Sequence, residues 1–336
     1  MATRTIRISW SRALCIIVLL VGFLLPALLR PAWFPSDDAY FYLQIARNIE
    51  AGKGSTFNGI TPTNGYHPLW MVICVALACI SGGSRETLVL LSIVTQQMLF
   101  LACIHILYLV GKKLDMHYWW LSVPLLGTVM LSLGLYGSEA HLTLLLLLLL
   151  LYTFVRWEEH PMNTEKALIG VSGGLLFLSR LDTLFLTGVL FSYVLLKRTT
   201  TKDRFATLLL LGIPFVAIAA PYLFYNQLTF GHITPISGDI KSTFPNPIHT
   251  PGQLGLFGGI SVLGGAIGLG FRRIYRNHNL RSAIWILSVG TLLHACYILL
   301  FTHHLTNWAW YYLPGLLNIS LLLDIVADRW VGNRGE

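Results

Sequence analysis

The chain has 336 residues, of which 55% are hydrophobic and only 11% are charged, and its mean hydropathy is +0.66. Soluble domains carry about 25% charged residues, so this chain lacks the polar surface that a water-exposed globule needs. The composition excludes a soluble enzyme, a secreted disulfide scaffold and a disordered protein, and it predicts an all-α polytopic membrane protein. The net charge of +8 is attributed to loops that face anionic lipid, and no nucleic-acid partner is expected.

Eleven apolar segments follow one another along the chain. The first, 11–29, follows three arginines and precedes no small-residue cleavage site, which favours an uncleaved membrane helix over a signal peptide. The second, 69–81, is too short to cross a bilayer, and apolar runs of its length are typical of re-entrant or interfacial segments. The others are 86–110, 118–136, 139–155, 166–180, 183–196, 205–226, 254–271, 282–301 and 309–326.

The distribution of Lys and Arg decides whether 69–81 crosses the membrane. If 69–81 does not cross, 17 of the 23 basic residues lie on the same side of the membrane as the N-terminus and 6 lie on the other side. If it does cross, the numbers become 6 and 17. Basic residues collect in cytoplasmic loops. We therefore predict ten crossings, both termini in the cytoplasm, and 69–81 as a half-buried outer segment. A single long helix over 166–196 is the open alternative, and it would reverse every later loop.

These predictions describe a single transmembrane domain over 1–336 in the inner (plasma) membrane. Four outer loops are expected, two long ones at 30–85 and 227–253 and two short ones at 136–141 and 302–308. No soluble C-terminal domain is expected, since the chain ends soon after its last apolar segment.

The first outer loop contains a predicted amphipathic helix over 36–49. Apolar residues recur there with helical spacing and polar residues lie on the other side, which is typical of a helix in the membrane surface. Asp37 and Asp38 stand at its start and Tyr40 follows. Two explanations of these carboxylates remain open. Either they simply stabilise the first turn of the helix after the N-cap Ser36, or one of them acts as a general base beside a surface that binds substrate.

Four further side chains in the outer loops are candidates for substrate binding, and each has an ordinary structural explanation as well. His67 is either a turn residue or a polar group near the aspartates. Glu139 either complements the dipole at a helix start or belongs to the site. Arg180 is a functional candidate because it is ionisable at membrane depth, or it closes a turn by pairing with Asp182. Lys241 is either a solvated loop residue or a cation of the site.

A divalent cation site is a further, weaker hypothesis. Its candidate ligands are Asp37, Glu139 and His141, since carboxylate oxygens and imidazole suit Mn²⁺ or Mg²⁺. No other cofactor is predicted.

Two stretches of the first outer loop carry a resemblance to a known superfamily: Ser-Asp-Asp-Ala-Tyr-Phe-Tyr at 36–42 and Pro-Thr-Asn-Gly-Tyr-His-Pro-Leu-Trp at 62–70. They resemble the first outer loop of GT-C-fold glycosyltransferases, which include bacterial relatives of the protein O-mannosyltransferases and of the lipid A aminoarabinose transferase. In that superfamily an acidic pair follows the first transmembrane helix, and a His-Pro or Pro-Leu segment begins a juxtamembrane helix. Gly-Ser-Glu-Ala at 137–140 resembles the acidic motif of the second outer loop. The similarity covers about 11–250.

The resemblance implies a GT-C-like fold of about ten transmembrane helices with outer juxtamembrane helices. It also implies an inverting transfer of a sugar from a polyprenyl-phosphate donor to a glycan, lipid or protein acceptor at the outer membrane face. Asp37 is then the preferred base for the acceptor hydroxyl and Asp38 the second choice. Arg180 and Lys241 would hold the departing phosphate, while Tyr40, His67 and Glu139 would contact substrate.

The main alternative function is a polytopic transporter or lipid flippase. Transporters tend to show repeated halves and charges near the bilayer midplane. No repeat is visible here, and the acidic residues cluster at one interface. The sequence therefore favours the glycosyltransferase.

Overall fold

The computed structural model describes residues 25, 29–33, 35–132, 136–197, 200–242, 254–271, 277–302 and 309–332. The predicted first membrane helix at 11–29 lies almost entirely outside these residues, as do most of the loop at 302–308 and the end of the loop at 227–253. Within the described ranges the secondary structure is helical apart from turns and isolated β-bridges, which confirms the all-α prediction.

The helices follow the predicted apolar segments, with ends that differ by a few residues. Short 3₁₀ turns lie at Pro31–Trp33, Trp119–Leu121, Leu181–Thr183 and Ala309–Tyr312, and a π-helical stretch, Leu254–Leu263, precedes α10. The helices are α1 (Asp37–Glu50), α2 (Pro68–Ser81), α3 (Arg85–Lys113), α4 (Ser122–Ser132), α5 (Ala140–Glu159), α6 (Asn163–Ser179), α7 (Leu184–Leu196), α8 (Thr201–Phe230), α9 (Ile236–Lys241), α10 (Gly264–Phe271), α11 (His278–Phe301) and α12 (Leu313–Gly332).

Five described segments are long and apolar enough to cross a membrane: α3, α5, α8, α11 and Trp310–Ala327. Shorter apolar helices lie at Pro68–Ser81, Trp119–Met130, Leu181–Leu196 and Gly259–Gly270. The chain is therefore an all-α membrane protein whose long apolar helices are interleaved with shorter ones.

The segment 166–196 forms two antiparallel helices, and this decides the alternative that the sequence left open. The chain breaks at Arg180, where the backbone is extended. A Cβ atom on Gly173 of α6 would lie 2.7 Å from Cγ2 of Thr187 in α7. These two residues lie equally far from Arg180 on either side, so α7 folds back along α6. A single long helix is excluded.

The ends of the bundle carry different kinds of charge. At the end opposite Arg180, ion pairs join Lys113 of α3 to Glu159 of α5 and Lys197 beyond α7 to Glu158 of α5. The C-termini of α3, α5 and α7 therefore meet there. The end that contains Arg180 holds the candidate site.

Helix α2 lies across the Arg180 end of the bundle. His67, just before α2, lies 3.6 Å from Glu139 at the start of α5. Arg85, just after α2, lines the same groove as Asp37 at the start of α1. Both ends of α2 are thus on one side of the bundle, in agreement with the predicted non-crossing segment.

Close packing of α6 against α8 depends on glycines. A Cβ atom on Gly170 would lie 2.4 Å from the backbone carbonyl oxygen of Leu211, and one on Gly174 would lie 3.0 Å from Cβ of Ile218. Gly170, Gly173 and Gly174 share one helical face, and small residues at such spacings let membrane helices approach closely.

We predict that Gly170→Ala lowers stability, because the added methyl group must separate α6 from the backbone of α8. Overpacking of this kind costs about 1–3 kcal/mol. Gly188→Ala in α7 is the matched control, since a Cβ atom there meets nothing within 4 Å. Thermal unfolding in one detergent measures both variants. Equal midpoints for Gly170→Ala and the parent protein would contradict the packing described here.

Candidate active site

A buried arginine joins two carboxylates from different parts of the chain. Nε and Nη2 of Arg180 donate to Oδ1 and Oδ2 of Asp182 at 3.1 and 2.7 Å. Nη1 donates to Oε1 of Glu139 at 2.7 Å. Both carboxylates are close enough for charge-assisted hydrogen bonds, and the Asp182 contact is bidentate. An arginine has five N–H donors, so two remain for another ligand.

The surroundings of Arg180 keep its guanidinium charged. Burial alone would lower the pKa of Arg180, but the carboxylates of Asp182 and Glu139 outweigh that effect and raise it. The face of Tyr311 adds a cation–π contact, with Cζ of Arg180 5.0 Å from the ring centroid. Nε2 of His294 in α11 lies 3.2 Å from Oδ2 of Asp182 and extends the network to another helix.

Glu139 is held from two directions. The Tyr42 hydroxyl of α1 donates to Oε2 of Glu139 at 3.1 Å, while Oε1 accepts from Arg180. The backbone N–H of His67 donates to the same hydroxyl at 2.9 Å. Burial lowers the pKa of His67 more than the nearby Glu139 raises it, so the imidazole is neutral near pH 7. With both oxygens engaged, Glu139 orients its neighbours and is poorly placed to accept a substrate proton.

Backbone contacts fix the loop that carries Glu139. The N–H of Gly137 donates to Oε1 of Gln96 at 2.6 Å, and Nε2 of Gln96 donates to the Ser138 carbonyl at 2.7 Å. The indole of Trp70 in α2 donates to the Gly137 carbonyl at 2.9 Å. Gly137 has a φ of +83°, a conformation that favours glycine. The Gly-Ser-Glu-Ala motif is therefore held by α2 and α3 together.

Asp38 and Lys241 face a cavity of about 290 Å³ beside this network. Burial and the adjacent Asp37 raise the pKa of Asp38, and the positive charge of Lys241 opposes them. Burial lowers the pKa of Lys241, and Asp38 opposes that shift. The cavity is also lined by His67, Glu139, Arg180, Asp182 and the aromatic residues Phe41, Tyr42, Tyr66, Tyr297, Trp310 and Tyr311.

An asparagine connects the two outer loops that line the cavity. Oδ1 of Asn64 accepts from the Ile236 N–H at 3.0 Å, and its Nδ2 donates to the Thr234 carbonyl at 3.4 Å. These contacts hold the start of the short helix α9 against the loop before α2. Lys241, at the end of α9, is thereby placed at the cavity.

The predicted site residues divide into two groups. Those that line the cavity are Asp38, His67, Glu139, Arg180 and Lys241. Asp37 and Tyr40 instead line a separate groove on another face of α1. Oδ1 of Asp37 accepts from the Asp38 N–H at 2.9 Å, and the Tyr40 hydroxyl donates to the Ala32 carbonyl at 3.1 Å.

The three weak candidates for a divalent cation site do not form one cluster. In the described part of the chain, no three His, Cys, Asp or Glu side chains are grouped as metal ligands. His141 is buried, with its ring 4.8 Å from that of Tyr136 and 6.2 Å from that of Phe100. Asp37 lines the separate groove, and Glu139 is engaged by Arg180 and Tyr42.

Sequence reasoning missed two polar members of the network and predicted no specific contact for a third. His294 and Gln96 lie within the apolar segments 282–301 and 86–110, where polar side chains are expensive and therefore informative. Their presence in apolar segments was the feature of the sequence that could have identified them. Tyr42 was part of the motif at 36–42 but was given no partner, although a buried tyrosine hydroxyl usually finds one.

No protein-family model matches the chain, and no curated protein matches it. Among solved structures, its fold is similar to the crystal structure of the apo form of an oligosaccharyltransferase from Archaeoglobus fulgidus, with a TM-score of 0.60 and 14% sequence identity. The match covers 98% of this chain and 52% of the archaeal chain, so the present chain spans about half of that protein's length. At this identity the similarity shows the fold alone, and the GT-C-like architecture expected from the sequence is confirmed.

We predict that Gly137→Ala loosens the junction between α1 and the Glu139 loop. The new Cβ atom would lie 2.2 Å from Cβ of Ala39, and the positive φ adds backbone strain. Gly54→Ala is the control for strain alone, because Gly54 has a φ of +71° with nothing within 4 Å. Hydrogen exchange should accelerate in α1 for Gly137→Ala and stay near the parent rate for Gly54→Ala. The same exchange rate in both variants would contradict a packing role for Gly137.

Proposed function

We propose that this protein is an integral-membrane glycosyltransferase that moves a sugar from a polyprenyl-phosphate donor to an acceptor hydroxyl. The observation that carries the proposal is the cavity, where Asp38 and Lys241 from distant loops meet beside the buried Arg180 network. A carboxylate and two cations are the groups that such a transfer requires, and they lie at one end of a GT-C-like helical bundle. The acceptor is a glycan, lipid or protein.

The proposed reaction is a single displacement. The acceptor oxygen attacks the anomeric carbon of the donor sugar, and the bond from that carbon to the phosphate oxygen breaks. The acceptor proton passes to a carboxylate, and the lipid phosphate leaves with the bonding electron pair. One displacement inverts the anomeric centre, so no second carboxylate is needed as nucleophile.

Asp38, in place of Asp37, is the proposed general base. Asp38 lines the cavity, whereas Asp37 lines a different groove and accepts a hydrogen bond from the Asp38 backbone. Burial and the adjacent Asp37 raise the pKa of Asp38, which makes its carboxylate a stronger proton acceptor than an exposed aspartate. Geometry and basicity thus favour the same residue.

Arg180 and Lys241 are the proposed ligands of the phosphate. Arg180 keeps two N–H donors beyond those used by Asp182 and Glu139, and its orientation is fixed by the bidentate contact. Lys241 adds a positive charge on another wall of the cavity. Preorganised cations stabilise charge that develops on a departing phosphate and cost no reorganisation during the reaction.

We further propose that the site faces the outer side of the inner membrane. Among the described residues, eight basic side chains lie at the end opposite Arg180 and six lie at the site end, and over the full sequence the loops assigned to these two ends hold 17 and 6. Cytoplasmic loops are enriched in Lys and Arg. The site would then be reached from the side away from the cytoplasm, with both chain termini in the cytoplasm.

We predict that Asp38→Asn lowers sugar transfer by about 10²–10⁴-fold, the usual contribution of a general base. The amide keeps the size of the side chain but cannot accept the proton. Transfer from a synthetic polyprenyl-phosphate sugar in nanodiscs is the measurement, alongside thermal stability. Asp37→Asn is the matched control and should lose far less activity. Normal transfer by Asp38→Asn would remove this carboxylate from catalysis and favour the transporter.

The pH dependence gives two predictions of opposite sign. Activity that requires ionised Asp38 falls as the pH drops through the pKa of Asp38. Asp37→Asn removes a like charge that raises this pKa, so the acid limb should move to lower pH. Lys241→Gln removes a charge that lowers it, so the acid limb should move to higher pH. The measurement is the pH–activity profile of each variant, normalised to its own maximum. Shifts of the acid limb in the same direction in both variants would contradict Asp38 as the general base.

The proposed membrane orientation predicts a labelling pattern. In a variant without native cysteines, a cysteine at Asn58 should react with a membrane-impermeant maleimide added from outside. A cysteine at Lys112 should react only after the membrane is permeabilised. Labelling of the Lys112 position from outside would place the site on the cytoplasmic side.

A further inference from the structure

A groove lies on the face of α1 that turns away from most of the cavity. Asp37, Tyr40, Phe41, Gln44 and Arg47 form one stripe along the helix, and the first turn of α3 supplies the opposite wall. We call it the α1–α3 groove, and its volume is about 630 Å³. Among the described residues, it shares only Phe41 with the cavity. The remaining lining residues are Leu43, Phe57, Arg85, Leu88 and Val89.

The groove carries two arginines, Arg47 in the last turn of α1, where the helix dipole favours a positive charge, and Arg85 at the start of α3. Within the described residues, neither Arg47 nor Arg85 forms an ion pair with a carboxylate. Arg85 is the first residue of α3, where the helix dipole disfavours a positive charge. Asp37 is the one carboxylate that lines the described groove, so its charged groups carry a net charge of +1. A groove of this charge is complementary to an anion.

The rest of the groove surface is apolar and aromatic. The rings of Phe41 and Phe57 lie 4.9 Å apart, and these side chains are 47% and 45% exposed. Arg85 begins a helix that is long and apolar enough to cross the membrane. Arg85 therefore lies where an apolar helix of membrane-spanning length begins, with Arg47 and apolar surface beside it in the groove.

We propose that the α1–α3 groove binds an anionic phospholipid, with Arg47 and Arg85 contacting its phosphate and the Phe41–Phe57 wall contacting an acyl chain. Arginine suits this role because its planar fork matches phosphate geometry. The backbone N–H groups at the start of α3 favour the same negative charge. Free phosphate would leave the aromatic wall exposed, and a neutral lipid would leave the arginines without a counter-ion.

The groove is separate in space from the site of the proposed transfer reaction, since α1 lies between most of the groove and the cavity. A bound lipid would brace α1 against α3. Tyr42 and Asp38, on other faces of α1, would then be held more firmly.

Native mass spectrometry of the detergent-purified protein tests the proposal. Dioleoyl phosphatidylglycerol is titrated against the parent protein, and dioleoyl phosphatidylcholine serves as the zwitterionic comparison. We expect one tight phosphatidylglycerol adduct, bound at least about tenfold more weakly by Arg47→Gln and by Arg85→Gln, since each loses a charge-assisted hydrogen bond. Lys53→Gln is the matched control: Lys53 is an exposed cation of the same loop region that does not line the groove. Its affinity should match that of the parent.

Three results would overturn the proposal. Equal affinity for phosphatidylcholine would show that the arginines do not select the lipid. An equal loss in Lys53→Gln would indicate general surface attraction. Failure of the parent protein to retain any phosphatidylglycerol would exclude the site. Arg85→Gln decides the matter if Arg47→Gln does not fold, because Arg85 is exposed and its replacement relieves an unfavourable charge at a helix start.

Discussion

The burial of one guanidinium at the break between α6 and α7 is the constraint on which this end of the molecule depends. A buried charge is tolerated only when it is paired and hydrogen-bonded, and removal of one partner from such a pair costs about 3–5 kcal/mol. Arg180 is 4% exposed, and Asp182 and Glu139 supply the compensating carboxylates. Because Glu139 begins α5 and Asp182 begins the return of α7, pairing with Arg180 fixes where three helices meet. His294 and Tyr42 then attach α11 and α1 to the same cluster.

This constraint also separates the charges that hold the fold from those available for chemistry. The oxygens of Glu139 and Asp182 are engaged by protein donors. Asp38 and Lys241 reach the cavity from loops that close over the network and are only partly buried. In the proposed reaction, the buried ion pairs orient Arg180, and Asp38 and Lys241 would contact the substrate beside them. The two N–H groups that Arg180 retains link these roles.

Much of the fold was predictable because membrane helices are encoded by long runs of apolar residues. The segment 69–81, predicted as a half-buried outer segment, forms the helix α2, and both ends of α2 lie on one side of the bundle. The site was harder. Asp37 and Asp38 are about 100° apart on a helix, and both are acidic, so the sequence alone does not reveal which one faces the cavity. Packing of Tyr42 against Glu139 sets the rotation of α1, and that contact joins residues 97 positions apart. The contact of His294 with Asp182 joins residues 112 positions apart.

The distribution of polar groups along the bundle bears on the choice between an enzyme and a transporter. Transporters place their sites near the midplane and expose them alternately to both sides. Here the end opposite the cavity is joined by ion pairs such as Lys113–Glu159. Between the ends, polar side chains bind neighbouring helices to one another: Nδ2 of Asn318 donates to the Gly264 carbonyl and to the Ser288 hydroxyl, at 3.0 and 3.2 Å. Such contacts lock helix packing and oppose the rocking of one half against the other. If the proposed transfer takes place in the cavity, a bundle whose helices are joined in this way suits a reaction completed at one end, because neither substrate has to pass through the protein.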